Sequence, residues 1–443
     1  MVGSVNRDHV QMIPTVLHVA SSPIRCMFRG QLQSLKRLSR NYRVLAIESS
    51  CDDSCVSLLE KKSPNGPVLA IDEIKATLSS AKVGGIIPTA AHEFHSAQIS
   101  QLVGEFCRKH EISSSNPPDL LCVTRGPGMV GSLSASIQFA KGLAVAWQRP
   151  LVGVHHMLGH LLTPNLTVEG SSCGPQYPFL SLLCSGGHTM LVLSKSLTNH
   201  EIIIDTSDIA AGDSLDKCAR ELGFEGNMLG PELEKYVANI DPVTKERFAG
   251  INTNTDQNEF GFRLRMPMRT AKHKKIPDVI QFGFASFLSS VEGFKMKSRD
   301  SWNEQTRQFV AFKLQEVLFD HIINRINVAF AKDPQKFALV RDFVCSGGVA
   351  ANKVLRAKLM HNIRSASTLK FHFPAPKLCT DNATMIGNAG IDIFENLRLK
   401  SRLSMLPIRK WPLHDILDVE GWEEVSDEEY REVTSWDSVP CER

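Results

Sequence analysis

Val44-Leu45-Ala46-Ile47-Glu48 runs into Ser49-Ser50-Cys51-Asp52-Asp53-Ser54, and the chain turns apolar again from Cys55 to Leu59. A short apolar run, a polar turn and a second apolar run predict a β-hairpin. The same device recurs at Phe179 to Cys184, Ser185-Gly186-Gly187-His188 and Thr189 to Ser194. Two copies of one unit imply an internal duplication.

Each hairpin opens an α/β stretch. In the first, residues 90–110 have helical spacing, Asp119 to Thr124 reads as a buried strand, and Gly126-Pro127-Gly128 breaks the chain before a small-residue helix, Ser132 to Trp147. A strand at 151–154 and a short helix close the unit. In the second, residues 208–240 are mostly helical, 241–280 polar and irregular, and 301–331 a long amphipathic helix. Phe343-Val344-Cys345 is a strand, Ser346-Gly347-Gly348 a turn, and helices follow at 349–360 and 383–399. Strands alternating with helices give α/β layers around a sheet. Two such units predict a cleft between them. The expected organisation is a leader over 1–43, a first α/β domain over 44–155, a second with a helical insertion over 156–400, and an acidic C-terminal tail over 401–443. The tail lacks clear periodicity and reads as mobile.

The 443 residues are 42% hydrophobic and 22% charged, ordinary for a globular protein. No apolar run is long enough to span a membrane. Eleven cysteines without a CxxC pair suit a reducing compartment and exclude a zinc ribbon. The net charge of +3 is uneven. Residues 1–43 carry seven Lys/Arg and one acid, and residues 411–443 carry eleven acids and two Arg. The first segment, Arg-rich, Ser-bearing and acid-poor, has the composition of a mitochondrial transit peptide. The basic remainder suits a polyanionic partner such as RNA, or simply a mixed solvated surface.

His156-Met157-Leu158-Gly159-His160 places two imidazoles on one helix face at i and i+4, so both reach one ion. Zinc proteases use this spacing with Glu after the first His, but Met157 occupies that place and excludes a peptidase. Thr380-Asp381-Asn382 stands before a helix, where it either caps the helix or offers Asp381 as a third, oxygen ligand. Four glycine-bearing or acidic turns recur: at Asp52, Gly126–Gly131, Ser185–Gly187 and Ser346–Gly348. Such turns let amides approach a phosphate, though α/β connections also need glycine for geometry. There is no P-loop motif, and no dinucleotide fingerprint with its ribose acid. Of Asp213 and Asp216, one caps a helix and the other is free to meet ribose or amine hydrogens. Lys272-His273-Lys274-Lys275 either contacts a phosphate backbone or is a solvated loop.

Together these motifs resemble the TsaD-type tRNA threonylcarbamoyladenosine synthases, once described as O-sialoglycoprotein endopeptidases. The resemblance runs from about residue 44 to 395. It is carried by Ala46 to Asp53, Arg125 to Gly131, Val154 to His160, Cys184 to Thr189, Gly212 to Lys217, Ser346 to Asn352 and Cys379 to Ala383. It implies an actin/Hsp70/sugar-kinase-like fold of two duplicated ribonuclease-H-like domains around a nucleotide cleft. It implies His156, His160 and Asp381 as ligands to one divalent metal per subunit, iron or zinc. It implies that Leu183, Cys184, Ser185, Gly186, Gly187, Asp216, Gly230 and Asn352 contact threonylcarbamoyl-AMP. The reaction it implies moves the threonylcarbamoyl group onto the exocyclic amine of the adenosine beside the anticodon, releasing AMP. With the leader, it implies the mitochondrial branch: a matrix enzyme and homodimer, off the membrane, dependent on a threonylcarbamoyl-AMP synthase, acting on tRNAs that read ANN codons. It names no catalytic side chain. Three positions depart from the family pattern: Met228-Leu229-Gly230-Pro231, Ala285-Ser286-Phe287-Leu288-Ser289, where the family has a Lys, and Leu158. These departures keep a second reading open, a non-catalytic nucleotide-binding scaffold of the same fold.

Overall fold

The structure is a computed structural model that describes residues 41–436, apart from residue 65 and residues 80–85, 167–173, 227–228, 269–278, 299–301 and 364–367. Most of the expected leader and all of Lys272–Lys275 lie outside the described residues.

The first hairpin is Tyr42–Glu48 (β1) and Asp53–Lys61 (β2), extended by Val68–Thr77 (β3) into an antiparallel meander. Helix Pro88–Lys109 (α1) leads to Leu120–Gly126 (β4), and helix Val130–Trp147 (α2) to Leu151–His155 (β5). β4 lies parallel to β1, β5 parallel to β4, and the sheet order is β3-β2-β1-β4-β5. His156–Leu162 (α3) follows at once.

The second unit repeats this plan. Phe179–Cys184 (β6), Thr189–Ser194 (β7) and His200–Thr206 (β8) form the meander. A helical insertion comes next: Ala211–Glu221 (α4), Gly230–Ala238 (α5) and Pro242–Gly250 (α6). Gln281–Phe282 (β9) adds an edge beside β8, followed by Ala285–Lys297 (α7) and the long Glu304–Lys332 (α8). Asp342–Ser346 (β10), Lys353–Asn362 (α9) and Lys370–His372 (β11) complete the sheet, whose order is β11-β10-β6-β7-β8-β9. Without β9 this is the order of the first sheet, with the same pattern of parallel and antiparallel pairs. The fold is therefore α/β, two duplicated ribonuclease-H-like sheets of the actin/Hsp70/sugar-kinase type.

Alternation along the strands sets the layers. Leu45, Ile47, Val56, Leu121 and Val123 pack under α1 and α2. Val44, Ala46, Leu59, Cys122 and Val154 face the other way, into a core shared with Leu183, Met190 and Val192 of the second sheet. Between the sheets runs Ala383–Asn396 (α10), from which Met385, Ile386, Ala389, Ile393 and Phe394 fill that core. A Cβ at Gly387 would collide with Leu59, and one at Gly390 with Cys122, so the helix rests directly on the first sheet. Read from the sequence, this helix belongs to the second unit; its packing ties it equally to the first, because it is apolar almost all round.

Two sequence expectations fail. Residues 241–280 are not simply irregular: Asp241 caps α6 by accepting from Thr244 N at 2.9 Å, with Pro242 at the first helical position. That Asp-Pro pair is a helix-start signal. The C-terminal stretch is acidic but packed rather than mobile. Leu399–Ser401 (β12) pairs with Trp422–Glu424 (β13), and Asp427–Thr434 (α11) follows. Trp411, Leu413, Ile416, Val425, Tyr430 and Val433 enter the shared core, while most of the acids between them stay in solvent. Arg125 clamps the stretch, donating to the Leu406 carbonyl at 3.1 Å and the Glu420 carbonyl at 2.5 Å beside the Trp411 ring. Irregular spacing hid this, because most contacts come from loops and not from one helix face.

Candidate metal centre and donor cleft

The elements converge where α3 meets the segment before α10. α3 starts directly after β5, with Met157 N donating to His155 Nδ1 at 3.1 Å. That start turns His156 and His160 the same way, with ring centroids 4.8 Å apart. Asp381 faces both: its Oδ1 is 3.2 Å from His160 Nε2 and 3.5 Å from His156 Nε2. The three candidate donor atoms lie within 4.8 Å of one another. Capping α10 falls to Asn382, which accepts from Met385 N at 2.8 Å. The Asp381 carboxylate is thus left for the imidazoles, which answers the question its sequence position raised.

Behind His156 stands Glu48, fully buried at the end of β1. His156 Nδ1 lies 3.4 Å from Glu48 Oε2 and 3.2 Å from Ser50 Oγ. Glu48 is itself held by Ser50 N at 2.6 Å and by the Thr124 hydroxyl. A carboxylate at Nδ1 keeps the proton there and leaves Nε2 free to ligate, the usual outer partner of a metal-bound histidine. His160 Nδ1 is buried without a hydrogen-bond partner among the described residues, so Glu48 is the pair's outer carboxylate. The electrostatics agree. Burial would depress His156, but the Glu48 and Asp381 carboxylates raise it to about 9. Burial would raise Asp381, yet His156 and His160 hold it well below the usual carboxylate range. This field favours a cation, and two imidazoles with one carboxylate suit iron or zinc with positions left open. The donor set fits a divalent metal.

The second unit supplies the facing wall. Ser185 N donates to the His188 carbonyl at 2.8 Å, closing a turn whose Gly186, Gly187 and His188 are exposed. A Cβ at Gly186 or Gly187 would meet nothing within 4 Å, so the outside of the turn is open; within it, Ser185 Oγ accepts from Gly187 N at 3.3 Å and His188 N at 3.0 Å. Gly347, at φ +101°, lies against the Cys184 backbone where a side chain would clash. Ser346 Oγ donates to the His160 carbonyl at 3.2 Å, joining β10 to α3.

The other expected contacts fall into two groups. Asp216 accepts from Leu229 N at 3.0 Å and Gly230 N at 2.7 Å, so it caps α5 and sits beside Gly230. Asp213 pairs with Lys217 at 2.8 Å. α4, which carries both, begins against the turn, with Gly212 N donating to the Ser185 carbonyl at 3.1 Å. Asn352 caps α9 through Val354 N at 2.9 Å and reaches Gln315 at 3.3 Å. Leu183 and Cys184 are buried at the end of β6, just before the turn. No contact among the described residues links Asp216 or Asn352 to the His156–His160–Asp381 cluster.

Sequence reading missed two members of the site. Glu48 had a signal, a carboxylate ending an otherwise apolar strand. Lys75 had none, because β3 was not predicted; its Nζ meets Asp53 at 2.5 Å and the Asp381 carbonyl at 3.1 Å.

A duplicated ribonuclease-H-like fold with a His-His-Asp cluster facing an open glycine turn defines a cleft enzyme of the actin-like class. The family model described as tRNA N6-adenosine threonylcarbamoyltransferase, TsaD, matches residues 68–388. The mitochondrial tRNA N6-adenosine threonylcarbamoyltransferase of Schizosaccharomyces pombe is 34% identical over 86% of this chain and 89% of its own. The enzyme of that name from Borreliella burgdorferi is 32% identical over 80% of this chain and 90% of its own. A hexokinase crystal structure covers 79% of this chain and 84% of its own at 9% identity, with a TM-score of 0.38. The chain belongs to the tRNA N6-adenosine threonylcarbamoyltransferase family.

Proposed function

We propose that this transferase moves the threonylcarbamoyl group of threonylcarbamoyl-AMP onto the exocyclic amine of the adenosine beside the anticodon, in mitochondrial tRNAs that read ANN codons. The observation that carries the reading is the His156–His160–Asp381 cluster set against the open Ser185–Gly187 turn. The amine nitrogen attacks the donor carbonyl carbon, the bond from that carbon to the phosphate oxygen breaks, AMP leaves with the electron pair, and the amine gives up a proton. Adenine's amine is a weak nucleophile, so holding donor and acceptor in line is the main task.

The Gly186 amide, which has no partner among the described residues, binds a phosphate or carbonyl oxygen, with Gly187 and Ser185 shaping the turn around it and Leu183 and Cys184 holding it from the strand end. Asp216, with Gly230 beside it, meets the adenosine. Asn352, whose Oδ1 caps α9, contacts the donor through the second hydrogen of its Nδ2. One divalent iron or zinc ion per subunit, held by His156, His160 and Asp381, would polarise a donor oxygen when bound. Glu48 orients His156. No side chain is assigned as the base that takes the amine proton. The enzyme works in the mitochondrial matrix as a homodimer and depends on a synthase that makes the adenylate. The transferase name shared by the relatives supports catalysis over the scaffold reading.

Purified protein, the synthase, ATP, threonine, bicarbonate and tRNA should yield the modified nucleoside by mass spectrometry. Metal-loaded protein that gives none sinks the reading. His156→Ala should lose metal and product together.

A further inference from the structure

A groove of about 550 Å³ opens on the second unit between residues 263–268 and α7, and no residue of the metal cluster lines it. Its polar walls are Arg263, Arg265, Ser207, Asp208, Ser286 and Ser290. The backbone that carries the arginines is anchored. Phe262 and Leu264 alternate with them into the core at 0% and 1% exposure, and Leu264 N donates to the Thr253 carbonyl at 2.8 Å. Both guanidiniums therefore stand in solvent on one side of an extended segment, about 6.6 Å apart at their Cα atoms by strand rise. That separation is comparable to the spacing of neighbouring phosphates along a nucleotide chain.

Among the described residues, the one carboxylate that lines the groove does not oppose them. Asp208 accepts from Phe284 N at 2.8 Å and from Ala285 N at 3.0 Å, so both its oxygens face the start of α7. Ser286 and Ser290, one helical turn apart on α7, line the opposite wall, and Ser290 Oγ donates to the Ser286 carbonyl at 2.8 Å. The groove also lies near the cleft. Asp208 is four residues from Gly212, whose amide meets the Ser185 carbonyl, so the chain allows at most about 14 Å between them. In sequence, the run from Arg263 to Lys275 contains six Lys/Arg and no acid.

We propose that Arg263 and Arg265 form a docking site for the phosphodiester backbone of the tRNA, holding the nucleotides next to the target adenosine while its amine enters the cleft. The inference rests on the proposed tRNA substrate. Guanidinium forks suit phosphate, and the anchored backbone keeps the two side chains on one wall of the groove. The site adds affinity without reading sequence.

The test is tRNA binding by fluorescence anisotropy across a salt series, with steady-state kinetics beside it. The Arg263→Ala/Arg265→Ala protein should bind tRNA roughly tenfold or more weakly, with the log–log salt slope lowered by about 2. KM for tRNA should rise, while KM for the adenylate stays unchanged. The Lys/Lys double variant should recover most of the affinity, which a merely unfolded groove would not allow. Wild-type affinity and slope in the Ala/Ala protein overturn the inference and leave the proposed function standing. A raised adenylate KM with unchanged tRNA binding overturns it in favour of a small-anion pocket. A wild-type protein that neither binds nor modifies tRNA sinks the proposed function itself, and this inference with it.

Discussion

Asp381 and Asn382 are adjacent and do different work. Asn382 holds the start of α10, and Asp381 faces the two imidazoles. Asp381→Asn keeps shape and cap but removes the charge that faces both imidazoles, so bound metal is lost together with the stability that metal and ion pairs supply. Asn382→Ala should cost about 1 kcal/mol of stability with metal retained. Metal analysis and thermal unfolding on both proteins check this; metal lost from both would show the assignments are not separable. Glu48→Gln keeps a hydrogen-bonding side chain but removes the charge facing His156 Nδ1. Metal affinity should fall by roughly 10–100-fold, as for other outer carboxylates. Chelator competition measures it, and unchanged affinity would remove Glu48 from the centre.

At the scale of elements, the segment carrying Asp381 is positioned by helix packing. α10 lies on the first sheet because Gly390 leaves room for Cys122. Gly390→Ala must lift the helix or displace the thiol, at a cost of about 1–3 kcal/mol for overpacking. Asp381 lies at the head of the same helix, so metal affinity should drop along with the unfolding midpoint. A protein of normal stability and metal content would mean the helix does not set the site. Legibility in the sequence divided along the same lines. β1, β2, β6 and β7 were readable because they are buried apolar runs closed by polar turns. β3 was not, since past Val68 its side chains are largely part-exposed and its pattern blurs. The His156–His160 pair was readable because both ligands share one short helix. Asp381, 221 residues beyond His160, read by itself first as a helix cap and only second as a ligand until the fold brought it within 3.2 Å.

For the whole molecule, buried neutral histidines set a limit in acid. His200 is pushed down to about 4 and His321 to about 3, both chiefly by burial. Folded, these rings stay neutral; unfolded, they take up protons below about 6.5. The unfolded chain thus binds more protons between pH 6.5 and 4, and stability falls as pH falls through that window. Each ring contributes up to roughly 3 kcal/mol of this loss. Glu395, raised by burial to about 7, runs the other way, losing stability as pH rises from 4.5 through 7. The clean measurement is therefore a difference: His200→Gln should flatten the fall of the urea midpoint between pH 6.5 and 4 relative to the parent. An unchanged slope would mean His200 is not held neutral.

The duplicated strand-turn-strand unit, the His pair without a neighbouring Glu, and the family were determined by the sequence alone, because each is written in local spacing or in an ordered set of short motifs. Tertiary structure decided what depends on contacts between distant segments. It freed Asp381 from capping, put Glu48 behind His156, laid α10 between the two sheets and folded the acidic C-terminal stretch into the shared core. Local spacing carries no record of such contacts, since burial and electrostatic pairing are properties of neighbours in space.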